Sequence, residues 1–506
     1  MFIRKSINKA GNTSVQIVEK DGRLNRLVKH IGTARNPLEL DELLKSASWF
    51  IEQERIKSGK VSLFDNRFKR SDFDALLDSL SFPKVLDSPT YQFFKYFYQK
   101  VGFNSLDNEC FKDLVIARIV EPGSKRKTRE ILITRFGKKY SLTKIYRTLK
   151  TATAENYKAE IEKIVNVFVR KNIDPEIAVL FFDVTTLYYE AFEEDDFRRF
   201  GFSKDLKHNQ PQIVVGLTVT RLGVPLSLNV FEGNRFEGHT MLPCVNSLVR
   251  SFNLKDFVVV ADSAMLSVEN LAVLEKQNLK YIVGARIGNL PTKLFKELLE
   301  KAPQKDGETI RITIKTDPKR VLIVSYSAKR ATKDRYGREK LLTTAIKAQA
   351  NPSVITRRYK FLVAKAGKLE LKNALIEKSI SLEGLKGYIT NHTALTNDEV
   401  IQKYGELWQV EKSFRMSKSD LLARPIFHTL KESIEAHLLI VFTALVVSSY
   451  IEIITQKSIR KVVKTLLQIK EIVIEEKTTS QKSSRFTNSS EEVQKLLKLA
   501  KLTWVT

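Results

Sequence analysis

Three carboxylates stand where chemistry on a phosphate would need them. Asp183, in the stretch FFDVTT, and Asp262, in VVVADS, each end an apolar run of strand character. Glu411 lies inside YGELWQVEKSFRMSK, which reads as helix. At about 100° per residue, Tyr404, Glu411 and Lys418 fall near one helical face, with Arg415 one turn beyond the glutamate. Taken singly, a strand-end aspartate serves as a loop or helix cap, and Glu followed by Lys or Arg one turn on is a common solvated pair. Taken together, two strand ends and one packed helix supply oxygen ligands for a pair of Mg²⁺ ions, with Mn²⁺ as a substitute. Two ions about 3.5–4 Å apart stabilise the attacking and leaving oxygens of an in-line phosphoryl transfer, and no acid–base histidine is required.

The elements that must hold these groups follow along the chain. Apolar runs over 177–182, 213–220 and 224–231 predict three strands, the last two joined by a hairpin at Arg221-Leu222-Gly223. Next come a helix over about 240–252, a strand over 257–261 that ends in Asp262, a helix over 267–277 and a strand over 280–285. The order β-β-β-α-β-α-β is that of an RNase H-like sheet, so the expected fold class is mixed α/β. Thr396 and Glu399 have capping-box spacing and open a long helix interrupted only by Gly405 before Ser417. Leu407, Trp408, Val410 and Phe414 oblige that helix to pack, and Trp408 is expected in the core.

Around this catalytic core, whose first part covers 174–290 and whose second covers 386–474, the sequence divides further. Residues 1–34 read as a β-meander and 35–173 as a helical region. Inside the latter, helices over 106–120 and 125–137, and a third capped by Ser141, resemble a helix-turn-helix unit; a helical bundle with a solvated basic face satisfies the same pattern. Residues 291–385 alternate in strand fashion between basic loops and predict a β-rich insertion. The tail, 475–506, is polar and basic and is expected to be flexible.

Charge and composition narrow the partners. With 85 Lys+Arg against 58 Asp+Glu, the net charge is +27. Ten Lys/Arg against two acidic residues fall in 121–150, and ten against three in 311–340. Two separated basic segments suit a long polyanion, because each neutralised phosphate releases counterions. Lys125, Arg126, Lys127 and Arg129 are the first candidates for DNA contact. A membrane partner would want a basic amphipathic helix with a clear apolar face. The most apolar stretch, 438–454, is broken by Ser448, Ser449 and Glu452 and falls short of the roughly 20 residues of a span, so a buried helix and no membrane are expected. Two cysteines and six scattered histidines give neither a disulfide framework nor a zinc-finger spacing, which points to a reducing compartment.

On FFDVTTLYYE, FEGNRFEGHT, VVVADSAMLS, GYITN and the stretch from Tyr404 to Pro425, the chain resembles bacterial insertion-sequence transposases of the DDE class, in the subgroup with a β-strand insertion before the glutamate. The resemblance covers roughly residues 105–290 and 385–455. Gaps of 79 residues between Asp183 and Asp262, and of 149 between Asp262 and Glu411, agree with it. It implies that Asp183, Asp262 and Glu411 are catalytic metal ligands, and that Tyr404, Arg415 and Lys418 contact DNA. The subgroup signature is Tyr, two residues, Arg, three residues, Glu, six residues, Lys; here Leu407 occupies the arginine position, and Arg415 is expected to serve the phosphate instead. The implied function is metal-dependent cleavage of double-stranded DNA at the terminal inverted repeats of an element and strand transfer into target DNA, by a homodimer in the synaptic complex, in the nucleoid of a bacterial cytoplasm. Two rivals share most of these features: a nuclease without strand transfer, and a DNA-binding protein derived from a transposase.

Overall fold

The computed structural model describes residues 1–8, 11–22, 24–57, 79–190, 193–202, 209–252, 256–265, 267–350, 359–365, 368–476 and 480–502. The chain forms two compact units, residues 1–81 with 475–481, and residues 82–474 with 482–506.

In the first unit, β1 (Phe2–Ile7), β2 (Thr13–Asp21) and β3 (Leu24–Ala34) make an antiparallel sheet in that order. Alternation along β2 turns Val15 and Ile17 inward, where they meet Ala47 of the helix Pro37–Lys57. β4 (Leu80–Leu86) crosses the boundary between the units in sequence.

The second unit is built on an eight-stranded sheet. Its first five strands are β5 (Val179–Tyr188), β6 (Gln212–Thr220), β7 (Pro225–Glu232), β8 (Val258–Ala261) and β9 (Lys280–Ala285). β5, β6 and β7 pair antiparallel as a meander, whereas β8 runs parallel to β5 and β9 parallel to β8. This is the RNase H-like arrangement. β6 and β8 are buried along their whole length, which explains why they read as continuous apolar runs rather than alternating ones.

The stretch expected as a β-rich insertion behaves differently. β10 (Thr309–Thr313) and β11 (Val321–Tyr326) extend the central sheet, while β12 (Leu362–Lys365) and β13 (Lys368–Leu371) form a small separate hairpin. With β14 (Leu385–Thr390) the order across the sheet is β10-β11-β14-β9-β8-β5-β6-β7. Among the described residues of the insertion the longest element is a 23-residue helix, Ala328–Ala350, rich in the Ala, Lys and Arg that favour helix.

Against this sheet packs the helix Lys431–Thr455, whose side chains from Ala436 to Ile451 are buried inside the protein. By length and composition it could cross a membrane; here it is a core helix. It packs in turn on the helices Glu109–Val120 and Leu142–Ala154. Residues Cys110 to Val120 are all buried, and the three helices Glu109–Val120, Lys125–Phe136 and Leu142–Ala154 pack together in the same compact unit as the sheet.

The tail also departs from expectation. It begins inside β15 (Glu471–Glu476) and contains β16 (Lys482–Phe486) and a helix, Glu491–Leu499, capped by Ser490 and burying Val493, Leu496 and Leu497. Its polar composition conceals three apolar residues at helical spacing, which is enough for one docked face.

Candidate active site

Asp183 sits within β5 rather than at its end, because Val184-Thr-Thr-Leu-Tyr continues the strand with β-branched and aromatic residues. It is half-buried, with Leu217 of β6 as its cross-strand partner. The parallel register of β5 and β8 pairs Val179 with Val258 and Phe182 with Ala261. The next step of that register sets Asp183 beside Asp262, on strands about 4.8 Å apart. The 79-residue gap is therefore the register offset itself. Asp262 lies just past β8, exposed, and its Oδ1 accepts from the Ser263 amide at 2.6 Å and the Tyr404 hydroxyl at 3.2 Å.

The long helix expected from the sequence is three segments. The first is Asn397–Gly405, with the Thr396/Glu399 capping box fully formed. A turn at Glu406 and Leu407 follows, then the helix Trp408–Arg415, then a π-helical turn, Met416–Asp420, that carries Lys418. Gly405 weakens the helix by about 1 kcal/mol relative to Ala, and the β6–β7 hairpin holds the break. Arg221 donates to both Glu406 oxygens at 2.8 and 2.7 Å, and Ser413 Oγ donates to the Gly223 carbonyl at 3.2 Å. The Glu411 helix lies over β5 and β6, with Val410 and Phe414 buried. Leu407 is in the core at 8% exposure, whereas Trp408 is 52% exposed, contrary to expectation.

Glu411 faces solvent. Its link to Asp262 runs through two side chains of the same neighbourhood. Burial, then Asp262, raises the pKa of Tyr404, and Glu411 adds to the effect. Lys386, on β14, places its ammonium 4.6 Å from the centre of the Tyr404 ring. Burial and Arg330 push its pKa down, and Asp262 and Glu411 both oppose that shift. Nothing in the spacing along the chain singles out Lys386; only the pairing of β14 with β9 and β11 brings it here.

Among the described residues, no three His, Cys, Asp or Glu side chains are gathered closely enough to hold a metal ion. The donor chemistry nevertheless suits a hard cation: two aspartates in register and a solvent-facing glutamate near the second of them.

The expected DNA-contacting residues do not come together. Lys418 is half-buried and lines a small pocket with Thr185, Leu187 and Leu217, over the strand of Asp183. Arg415 is exposed and lines a different depression with Lys412, Asp420, Glu452 and Lys457. In the basic block, Arg126 is exposed, Lys127 lies 3.9 and 3.6 Å from Glu121 and Glu130, and Arg129 donates to the Tyr140 carbonyl at 2.9 Å. Lys125 is buried and bonds to His437, so it is not part of an exposed basic face.

An RNase H-like sheet with aspartates in register on two parallel strands and a glutamate on a helix across the sheet defines the DDE class. Residues 174–447, more than half of the chain, match the transposase DDE domain, and the protein belongs to that family. Among solved structures, the cryo-EM synaptic complex of piggyBac transposase with hairpin DNA is similar at 10% identity and a TM-score of 0.39, over 74% of this chain and 76% of that one. No curated protein matches the chain.

Proposed function

We propose that this transposase cleaves double-stranded DNA at the ends of an element and joins the freed 3′-hydroxyl to target DNA. The observation that carries the reading is the register of β5 and β8, which sets Asp183 beside Asp262. Asp183, Asp262 and Glu411 would hold divalent ions, Mg²⁺ or Mn²⁺. Such ions supply charge neutralisation at the scissile phosphate and lower the pKa of the attacking hydroxyl.

The chain's own residues orient and screen. The Tyr404 hydroxyl fixes one oxygen of Asp262, leaving the other free to turn toward a ligand. Lys386, beside both Asp262 and Glu411, offsets their mutual repulsion before a cation arrives. Lys418 supplies a positive charge over the strand of Asp183, where a DNA phosphate approaches. Two DNA ends in one reaction call for a homodimer in the synaptic complex, at the nucleoid of a bacterial cell.

Mn²⁺ titrated into metal-free protein and followed by electron paramagnetic resonance tests the ligand set. Wild type should bind two ions, and Asp183→Asn and Asp262→Asn should each lose at least one. Equal stoichiometry in all three proteins would reject these aspartates as ligands.

A further inference from the structure

A cavity of about 560 Å³ opens between the helix Lys125–Phe136 and the loop that precedes Lys431–Thr455. Five of its lining residues are cationic, Arg118, Lys125, Arg126, Lys127 and Arg424, and none of them all is a carboxylate. His428 and His437 complete the polar wall.

Lys125 is the unusual member. It is 6% exposed, and its ammonium donates to Nδ1 of His437 at 3.2 Å. The other ring nitrogen of His437 faces the Ala423 carbonyl at 3.2 Å, which sets the neutral tautomer with the proton on Nε2. The hydrogen-bond partner of this buried ammonium is thus an uncharged ring. The charged group that acts on Lys125 is Arg118, of the same sign, and burial with that guanidinium pushes the lysine pKa well down, a shift that a bound anion would reverse; His437 faces Lys125, Arg118 and the ring of His428. Arg118 is otherwise engaged, since it donates to the carbonyls of Leu421, Leu422 and Gly123 and so ties the 421–423 loop to its own helix. A buried ammonium without a counter-ion is costly, by several kcal/mol in general, and a structural role would be served at least as well by an apolar side chain.

The surroundings are built for an anion. Gly123, Ser124 and the first turn of a 12-residue helix line the same cavity, adding N-terminal amides to the cations. Arg424 stacks over the ring of Tyr188, at the far end of the strand that carries Asp183.

We infer that this cavity is a phosphate-binding site in which Lys125 gives up its solvation to form the inner contact, with Arg126, Lys127 and Arg424 around the rim. The phosphate is taken to be that of a DNA backbone, a point that alone rests on the proposed function.

Two measurements on the full chain, free of metal, test this. In the first, thermal melting is compared with and without roughly 10 mM pyrophosphate, which raises the melting temperature of any protein that binds it with a submillimolar Kd. Pyrophosphate should raise the melting temperature of wild type and of Lys296→Met, an exposed control, but not that of Lys125→Met, which without ligand should melt no lower than wild type. In the second, anisotropy of a labelled duplex is followed against salt. Lys125→Met should bind about tenfold more weakly with a salt slope smaller by about one. Arg424→Met carries the same readouts if Lys125→Met is recovered unfolded. Equal stabilisation of wild type and Lys125→Met by pyrophosphate, or none in either, overturns the site. Selective pyrophosphate stabilisation with unchanged duplex affinity keeps the site and assigns it a free phosphate compound instead of DNA. Selective stabilisation in a protein that binds no duplex at all keeps the site and rejects the proposed function.

Discussion

The hydroxyl of Tyr404 reaches Asp262 because position 284 has no side chain: a Cβ there would meet that hydroxyl at 2.5 Å. A hydrogen bond to a charged group contributes about 1.5–3 kcal/mol. Tyr404→Phe should therefore slow DNA cleavage by about 10- to 100-fold at unchanged melting temperature, and Gly284→Ala should slow it similarly by displacing the ring. Leu407 predicts the opposite kind of result. The subgroup signature has arginine there, but this leucine is in the core, so Leu407→Arg should destabilise the fold by at least about 2 kcal/mol and should not rescue an Arg415 variant. Denaturant unfolding measures it. His428 carries a pH signature. Burial, then Lys125 and Arg118, pull its pKa from 6.5 down to about 4. The unfolded imidazole takes up a proton near pH 6.5 and the folded one only near 4, so stability is present above this window and is lost as the pH falls through it. His428→Gln should make the melting temperature less steep between pH 6.5 and 4.5; an unchanged slope would assign that window to other groups.

At the scale of elements, the hairpin between β6 and β7 fixes the glutamate helix by gripping its break, through Arg221 with Glu406 and Gly223 with Ser413. Gly223 stands at φ +78, and a Cβ there would also press on Gln409 Oε1 at 2.8 Å. Gly223→Ala should thus impair cleavage more than Ser413→Ala does. Thr396→Ala removes the capping box, a change of about 1 kcal/mol, and should speed hydrogen exchange in the segment Asn397–Gly405. The hairpin, the strand order and the capping box were legible in the sequence because each rests on local spacing. The break at Glu406 and Leu407 was not, since it depends on Arg221, which lies 185 residues away. Lys386 was hidden for the same reason, and Trp408 was misjudged because a helix's apolar residues do not say how far its buried stripe extends.

On the scale of the whole molecule, what matters is where the basic residues stand relative to the carboxylates. The helix Glu109–Val120, buried from Cys110 to Val120, packs on both Lys125–Phe136 and Lys431–Thr455, so the basic block of residues 125–150 stands in the same compact unit as the carboxylates. The ten Lys/Arg of residues 121–150 lie in the same compact unit as the three carboxylates. Duplex affinity should fall steeply and log-linearly with salt, and the slope should be the same for wild type and Glu411→Gln. The central claim is that Asp183, Asp262 and Glu411 act together on DNA. Incubating purified protein with Mg²⁺ and duplexes carrying the DNA ends that flank its own gene tests it most directly. Wild type should yield cleaved ends and joined products, and Glu411→Gln should yield neither while binding the duplex as tightly; cleavage by Glu411→Gln at the wild-type rate would contradict the claim.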